Sequence, residues 1–234
     1  MHDVDVCIPC YEMGGMGGTH LRSLLESIEI QEGVTFRAVV SDQSEDREVE
    51  DVCKDFEDFV DYHKFDGPKN PCDNLNYGVT KCSAKTIKIM CQDDLLVRID
   101  SLDKCARPIL DDRVRWTACS CAHTNDGINL YRPITPTYHD QIHFGHNTMS
   151  SPSVICVIND QESLPRFDNK ILYLFDVDWY KRLHDEYGDF EMIKDICIVN
   201  RMHDDSMSNT ENADVSEVLP REQKYIKEKY SETV

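Results

Sequence analysis

Four times within the first 94 residues a short β-prone run gives way to loop chemistry and helical spacing, and this repetition limits the chain to few folds. The runs are Val4-Asp-Val-Cys-Ile-Pro9, Phe36-Arg-Ala-Val-Val-Ser41, Val60-Asp-Tyr-His-Lys64 and the strand at 86–91 within Lys85-Thr-Ile-Lys-Ile-Met-Cys-Gln-Asp-Asp-Leu-Leu96. Strands alternating with helices predict an α/β fold with a mostly parallel sheet. The last run drives a strand straight into two adjacent carboxylates, Asp93 and Asp94. Ligands of open α/β sheets collect outside the carboxyl ends of strands, where two acids can hold a phosphate-bound divalent ion through hard oxygen ligands. A plain acidic turn has the same composition, because Asp is a favoured turn residue.

The connecting segments fill in the pattern. Cys10-Tyr-Glu-Met-Gly-Gly-Met-Gly-Gly18 is a glycine-rich loop ahead of Leu21, Leu24, Leu25 and Ile28, which share one helical face, with Thr19 as the N-cap. The glycines form neither Gly-x-Gly-x-x-Gly nor a P-loop, so a turn explains them as well as a phosphate cradle does. The second strand ends in Asp42-Gln-Ser-Glu-Asp46, and Val49, Val52, Cys53 and Phe56 then mark a helix with an acidic, solvated outer face. Asn70-Pro-Cys-Asp-Asn-Leu-Asn-Tyr-Gly78 reads as a loop leading into a helix near residues 76–84.

Charge narrows the partners. With 25 basic and 44 acidic residues the formal charge is −19, which opposes binding to nucleic acid or to an anionic membrane. An acidic chain binds an anionic cofactor through a metal ion or aimed backbone N–H groups. No apolar run approaches the roughly 18 residues of a membrane span, and the N-terminus lacks a signal peptide's basic start and apolar centre. The expectation is a soluble, cytoplasmic protein. Eleven scattered cysteines, odd in number, predict reduced thiols. Zinc held by Cys7, Cys10, Cys119, Cys121 and His123 lacks two correctly spaced pairs, and buried small hydrophobes are the simpler reading. His139-Asp-x-x-His143-x-x-His146 has helical ligand spacing, but Pro133, Pro136 and Gly145 favour a loop whose histidines form hydrogen bonds.

In order and spacing, Ile8-Pro-x-Tyr-Glu12, Val40-Ser-Asp-Gln-Ser44, Asn74-x-Asn76-x-Gly78 and Gln92-Asp-Asp94 resemble the nucleotide-sugar half of family 2 glycosyltransferases of the GT-A fold. Gly145-x-Asn-Thr-x-Ser-Ser-Pro-Ser153 resembles the family's acceptor-side segment. Phe167-Asp followed by Leu174-Phe-Asp-Val-Asp-Trp-Tyr-Lys-Arg-Leu183 resembles the segment bearing its catalytic base. Asn200-Arg-Met-His203, with Ser206 and Ser208, resembles the closing motif in which a histidine returns to the metal.

The resemblance covers about residues 4–210 and implies a glycosyltransferase domain at 1–210, with a nucleotide-binding half at 1–96, an acceptor and catalytic half at 97–210, and a helical tail at 211–234. It implies that Pro9 and Tyr11 flank a uracil, that Asp42 accepts a hydrogen bond from the base ring N–H, and that Glu12, Asn76 and Gln92 belong to the donor site. Asp93 takes the place of the metal-binding acid, Asp94 that of its helper, and His203 that of the returning ligand for Mn²⁺ or Mg²⁺. Asp176 matches the general base in an inverting transfer of one sugar from a UDP-sugar to a hydroxyl of a glycan, lipid-linked or protein acceptor.

Two positions depart from the pattern. Cys91 stands where many relatives have an acid two before the metal-binding one, and Phe175 stands where relatives often have Glu before the base. They motivate a rival reading, a non-catalytic nucleotide-sugar-binding protein on the same fold. The Gln-x-x-Arg-Trp signature and membrane helices of processive synthases are absent from the sequence, which favours single transfers. A sugar-phosphate nucleotidyltransferase would carry basic residues in its glycine-rich loop, whereas residues 13–18 have none and Arg22 is the nearest. Without the family match, Asp176 and Asp178 read as helix-start acids that favour the helix dipole. Near the end, a helix over 219–230 begins at Leu219-Pro220. Its Leu219, Tyr225, Ile226 and Tyr230 are expected to pack on the domain or, in a homodimer, on a second subunit.

Overall fold

The computed structural model describes residues 2–203 and 213–231. The N-terminal half alternates β1 (Val4–Cys10), α1 (Gly17–Glu29), β2 (Phe36–Asp42), α2 (Glu48–Lys54), β3 (Val60–Lys64), α3 (Pro71–Lys81) and β4 (Thr86–Ile89). There follow β5 (Leu95–Leu96), α4 (Ser101–Leu110), β6 (Trp116–Thr124), β7 (Tyr131–Ile134), β8 (Ile155–Ile158), α5 (Phe175–Tyr187), β9 (Glu191–Arg201) and α6 (Ala213–Ser231). Among the described residues one nine-stranded sheet runs β3-β2-β1-β4-β8-β6-β9-β5, with β7 beside β6. β1 pairs in parallel with β2 and β4, and β2 with β3. The order therefore reverses between β1 and β4, the place where an open α/β sheet leaves a crevice at its carboxyl edge.

The four predicted strands and the mostly parallel α/β architecture with a C-terminal helix are present. The antiparallel pairs, β8 with β4 and with β6, β7 with β6 and β5 with β9, each include a strand of the second half. Buried Leu21, Leu24, Leu25 and Ile28 hold α1 on the core, each worth roughly 1.5–3 kcal/mol of burial. The first helix starts at Gly17 with Met16 as its cap residue, so Thr19 lies inside the first turn and does not cap it.

The third helix corrects the sequence reading further. It begins at Pro71 because the Asn70 side chain accepts from the N–H groups of Cys72 (2.8 Å) and Asp73 (3.4 Å), a cap followed by Pro at the first helical position. Asn74, Asn76 and Gly78 consequently ride on a helix packed against β1 and β2 rather than in a loop. Gly78 is required there: a Cβ would lie 2.9 Å from Cys7 Sγ and 3.2 Å from Ser41 Cβ. The last helix starts at Ala213, six residues before Leu219, and contains Pro220. It packs back on its own domain: Ile226 is buried, and Tyr225 and Lys229 bind Asp168 at 3.0 and 2.8 Å.

All eleven cysteines are free thiols and ten are buried, Cys91 being partly exposed. Fully buried Lys88 donates to the carbonyls of Ser153 and Ile155, tying β4 to the segment entering β8.

Candidate active site

A cleft of about 700 Å³ opens at the carboxyl ends of β1 and β4. Its floor is built by amide side chains bonded to backbone. Gln92 accepts from the Tyr11 N–H at 3.0 Å and donates to the Gly17 carbonyl at 2.8 Å, fixing the turn after β1 to the start of α1. The glycine-rich segment is a tight turn rather than an open cradle. The Glu12 carbonyl accepts from Gly15 and Gly17, each at 2.9 Å, and a Cβ on Gly17 would meet the Tyr11 carbonyl at 2.3 Å. Pro9 and Tyr11 line the cleft above this turn; Glu12 is not among the lining residues.

Two predicted donor-site residues have structural duties. Asn76 forms a matched pair of 2.8 Å hydrogen bonds with the N–H and carbonyl of Phe167, joining α3 to the segment before α5. Asn74, which does line the cleft, donates to the Cys10 carbonyl at 3.1 Å. Asp42 is fully buried below the cleft. Its carboxylate accepts from the Ser44 N–H (2.8 Å), the Tyr62 hydroxyl (2.8 Å) and Lys64 (3.3 Å). The cleft wall at that point is formed by its neighbour Gln43.

The acids after β4 divide. Asp93 turns to the cleft, with Oδ2 at 3.0 Å from His203 Nε2, so residues 110 positions apart meet as the closing motif implies. His20 stacks on His203 at 5.3 Å between ring centroids. Asp94 is buried: Ser151 (3.2 Å) and Asn200 (2.8 Å) donate to Oδ2, and the Arg201 N–H (3.3 Å) donates to Oδ1. Burial, and then the charge of Asp93, push its carboxyl up to about 7. The carboxylate of Asp93 and imidazole of His203 make a mixed oxygen and nitrogen donor set, which fits Mn²⁺ better than the oxygen-preferring Mg²⁺. Asp94 does not converge with them; its oxygens face Ser151, Asn200 and the Arg201 backbone. Ser206 and Ser208 lie outside the described residues.

The other wall carries Asp176, in the first turn of α5. Its Oδ2 accepts from Asn147 Nδ2 at 2.7 Å and its Oδ1 from the Val177 N–H at 2.7 Å. Burial outweighs these bonds and pushes the carboxyl up to about 7, the range in which a general base works at neutral pH. Asn147 belongs to the predicted acceptor-side segment, whose Ser151 reaches Asp94 and whose Ser153 hydroxyl accepts from the Cys91 N–H at 2.8 Å. One segment thus touches both Asp94 and Asp176.

Glu222 of α6 carries no signal in the sequence. Its carboxylate accepts from the N–H groups of Leu172 (2.6 Å), Tyr173 (3.0 Å) and Leu174 (3.0 Å), holding the strip that leads into Asp176. Val215 and Leu219 of the same helix line the cleft. Asp178 lies in the first turn of α5, as its helix-start reading has it, and is buried among Arg182 (2.7 Å), Lys229 (2.8 Å) and the Tyr230 hydroxyl (2.9 Å).

Two alternative metal readings find no support in the geometry. His139 pairs with the His146 carbonyl at 3.1 Å, and His143 packs on Phe144 and Tyr230. Among the described residues the one group of three ligand atoms within 4.8 Å of one another is Cys105, Cys119 and Cys197, buried in the core and different from the cysteine set that the sequence suggests.

Against known families, residues 5–170 match the model of glycosyl transferase family 2. The chain belongs to that family. No curated protein matches it in sequence. Among solved structures, S. aureus TarS superposes with a TM-score of 0.67 at 13% identity, covering 86% of this chain and 37% of that one. TarS 1-349 in complex with UDP-GlcNAc gives 0.65 at 15% identity, covering 94% and 66%. The mannosyltransferase PcManGT from Pyrobaculum calidifontis, in complex with GDP-Man and Mn²⁺, gives 0.62 at 17%, covering 87% and 58%. At these identities the likeness is one of fold, and this family 2 chain spans between 37% and 66% of the solved chains. Among the described residues no helix is long and apolar enough to cross a membrane.

Proposed function

We propose that the chain is a metal-dependent, inverting glycosyltransferase that moves one sugar from a UDP-sugar to a hydroxyl acceptor on a glycan or glycoconjugate. The observation that carries this reading is the lining of one cleft by Asp93, paired with His203, and by Asp176, at the switch point of the sheet. Donor-bound structures of like fold, with UDP-GlcNAc and with GDP-Man and Mn²⁺, support a nucleotide-sugar in such a cleft.

In this reading Pro9 and Tyr11 flank the base, and Asp93 and His203 hold the ion. Mn²⁺, or less favourably Mg²⁺, would neutralise the departing diphosphate as a Lewis acid. Asp176 takes the proton of the acceptor hydroxyl as that oxygen bonds to the anomeric carbon. The bond from that carbon to the diphosphate oxygen breaks with its electron pair leaving on UDP, and a single displacement inverts the anomer. Asn147 keeps the Asp176 carboxylate turned to the cleft. A cytoplasmic setting, and pairing of two copies through the outward face of α6, belong to the same proposal.

Cys91 and Phe175 both line the cleft, which keeps a non-catalytic donor-binding protein as the second reading. Incubation with Mn²⁺ and a panel of UDP-sugars decides between them. The proposed activity predicts UDP release and, with an acceptor present, a product of inverted anomeric configuration by NMR. Tight UDP-sugar binding with no release from any donor, with or without acceptors, would select the second reading.

A further inference from the structure

Where α4 packs on β6 and β9, three thiols from three elements meet. Cys105 of α4, Cys119 of β6 and Cys197 of β9 are fully buried, and their sulfurs lie within 4.8 Å of one another. The backbone at two of them is held from other elements. Thr117 Oγ1 donates to the Cys105 carbonyl at 2.7 Å, and Ser101 Oγ to the Cys197 carbonyl at 3.1 Å. Between Ser120 and Cys121 the ladder partner on β9 jumps from Ile196 to Ile198, so Cys197 is the extra residue of a bulge, a device that re-aims a side chain. A second observation lies beside the thiols. Lys88 of β4 is fully buried, and among the described residues its ammonium donates to the uncharged carbonyls of Ser153 and Ile155 and pairs with no carboxylate. The thiols of Cys119, Cys105, Cys156 and Cys197 face that charge. A buried charge without an opposite one is costly, so these sulfurs are where balancing negative charge can form.

We infer that Cys105, Cys119 and Cys197 hold a thiophilic divalent ion of the zinc class, as a clip joining α4 to β6 and β9. Thiolate sulfur selects such an ion over Mn²⁺ or Mg²⁺, so the site is chemically distinct from the carboxylate and imidazole of the cleft. The thiol protons leave to water as the ion binds. Thiolates around a divalent ion carry net negative charge, and the Lys88 ammonium offsets it. Zinc ordinarily takes a fourth ligand, a place open to Cys156, which stands opposite Lys88 in the pairing of β4 with β8. Along β9 Cys197 is followed by Asn200 and Arg201, which bond Asp94 and the Asp93 carbonyl, so the clip also steadies the strand that reaches the cleft.

The metal content of the purified chain tests it. The chain is expressed in zinc-supplemented medium, washed with EDTA under reducing conditions to strip exposed ions, and weighed by native mass spectrometry. One Zn²⁺ per chain should survive the wash in the wild type and in Cys91→Ser, which removes the one partly exposed thiol, and be lost in Cys105→Ser and Cys197→Ser. Chain prepared with Cd²⁺ instead should show a thiolate-to-metal charge-transfer absorption that the same two variants lack. A thermal melt checks the fold of each variant, and where a serine variant does not fold, the Cd²⁺ absorption of the EDTA-washed wild type decides. Lys88→Met keeps the side chain's length without its charge and should weaken Zn²⁺ binding about 10–100-fold in competition with a chelator. A wild-type chain with neither retained zinc nor the Cd²⁺ absorption overturns the site, as does zinc retained in both serine variants. Unchanged affinity in Lys88→Met overturns the role of Lys88.

Discussion

The floor and the far wall of the cleft are held by different chemistry. The floor, from β1, β4 and α1, is locked by neutral amide hydrogen bonds, as when Gln92 joins the Tyr11 N–H to the Gly17 carbonyl. The wall at 172–177 is held by charged side chains where α5 meets α6: Glu222 of α6 on three backbone N–H groups, and Asp178 of α5 among Arg182, Lys229 and Tyr230. Neutral bonds to backbone are insensitive to pH and salt, whereas ion pairs are not. Donor binding should therefore be robust and acceptor chemistry conditional on α6.

The largest expected effect separates the two regions cleanly. Asp176→Asn should lower transfer by about 10²–10⁴, the usual worth of a positioned base, and leave UDP affinity unchanged. Parallel rate and calorimetric measurements check it, and an equal loss of both would erase the distinction between floor and wall.

Asp178→Ala strips the wall of its buried anion. Removing one partner of a buried ion pair costs about 3–5 kcal/mol, and we expect ~3, because Arg182 and Lys229 are each 23% exposed and regain water. Urea unfolding should show that loss. Gly78→Ala probes the floor: the 2.9 Å approach to Cys7 Sγ should cost about 1–3 kcal/mol of overpacking, partly offset by roughly 1 kcal/mol of helix propensity. Its effect on UDP binding should exceed that of Asp178→Ala although its effect on stability is smaller.

The pH dependence sharpens the contrast. Asp176 must be ionised to accept a proton, and its carboxyl is pushed up to about 7, so transfer should rise with pH through that value and fall below it. UDP release measured across neutral pH, on both sides of that value, gives the midpoint. Stability runs the other way. A carboxyl whose folded value lies above its unfolded one makes the fold less stable as pH rises between the two. Asp176→Asn should therefore melt at a higher temperature than the wild type when both are held above that midpoint.

The parallel strands are legible in the sequence because β-branched runs between loop and helix signals leave few alternatives. The approach of Asp93 to His203 is legible only through the family resemblance. The start of α3 is misplaced in the sequence reading although its signal, Asn70-Pro71, is present, because the polar composition around Asp73, Asn74 and Asn76 outweighs the cap. The start of α6 is misplaced because Pro220 reads as a first-turn proline, whereas the helix runs through it. Glu222 is not legible at all. It meets backbone 48 to 50 residues away. Such contacts leave no periodicity in a single sequence.

The central claim is that Asp93 anchors a metal-dependent donor site, and titration of UDP with Mn²⁺, with EDTA, and into Asp93→Ala tests it most directly. The account predicts binding with Mn²⁺ that is lost both in EDTA and in the variant. UDP binding of equal strength in all three would contradict it.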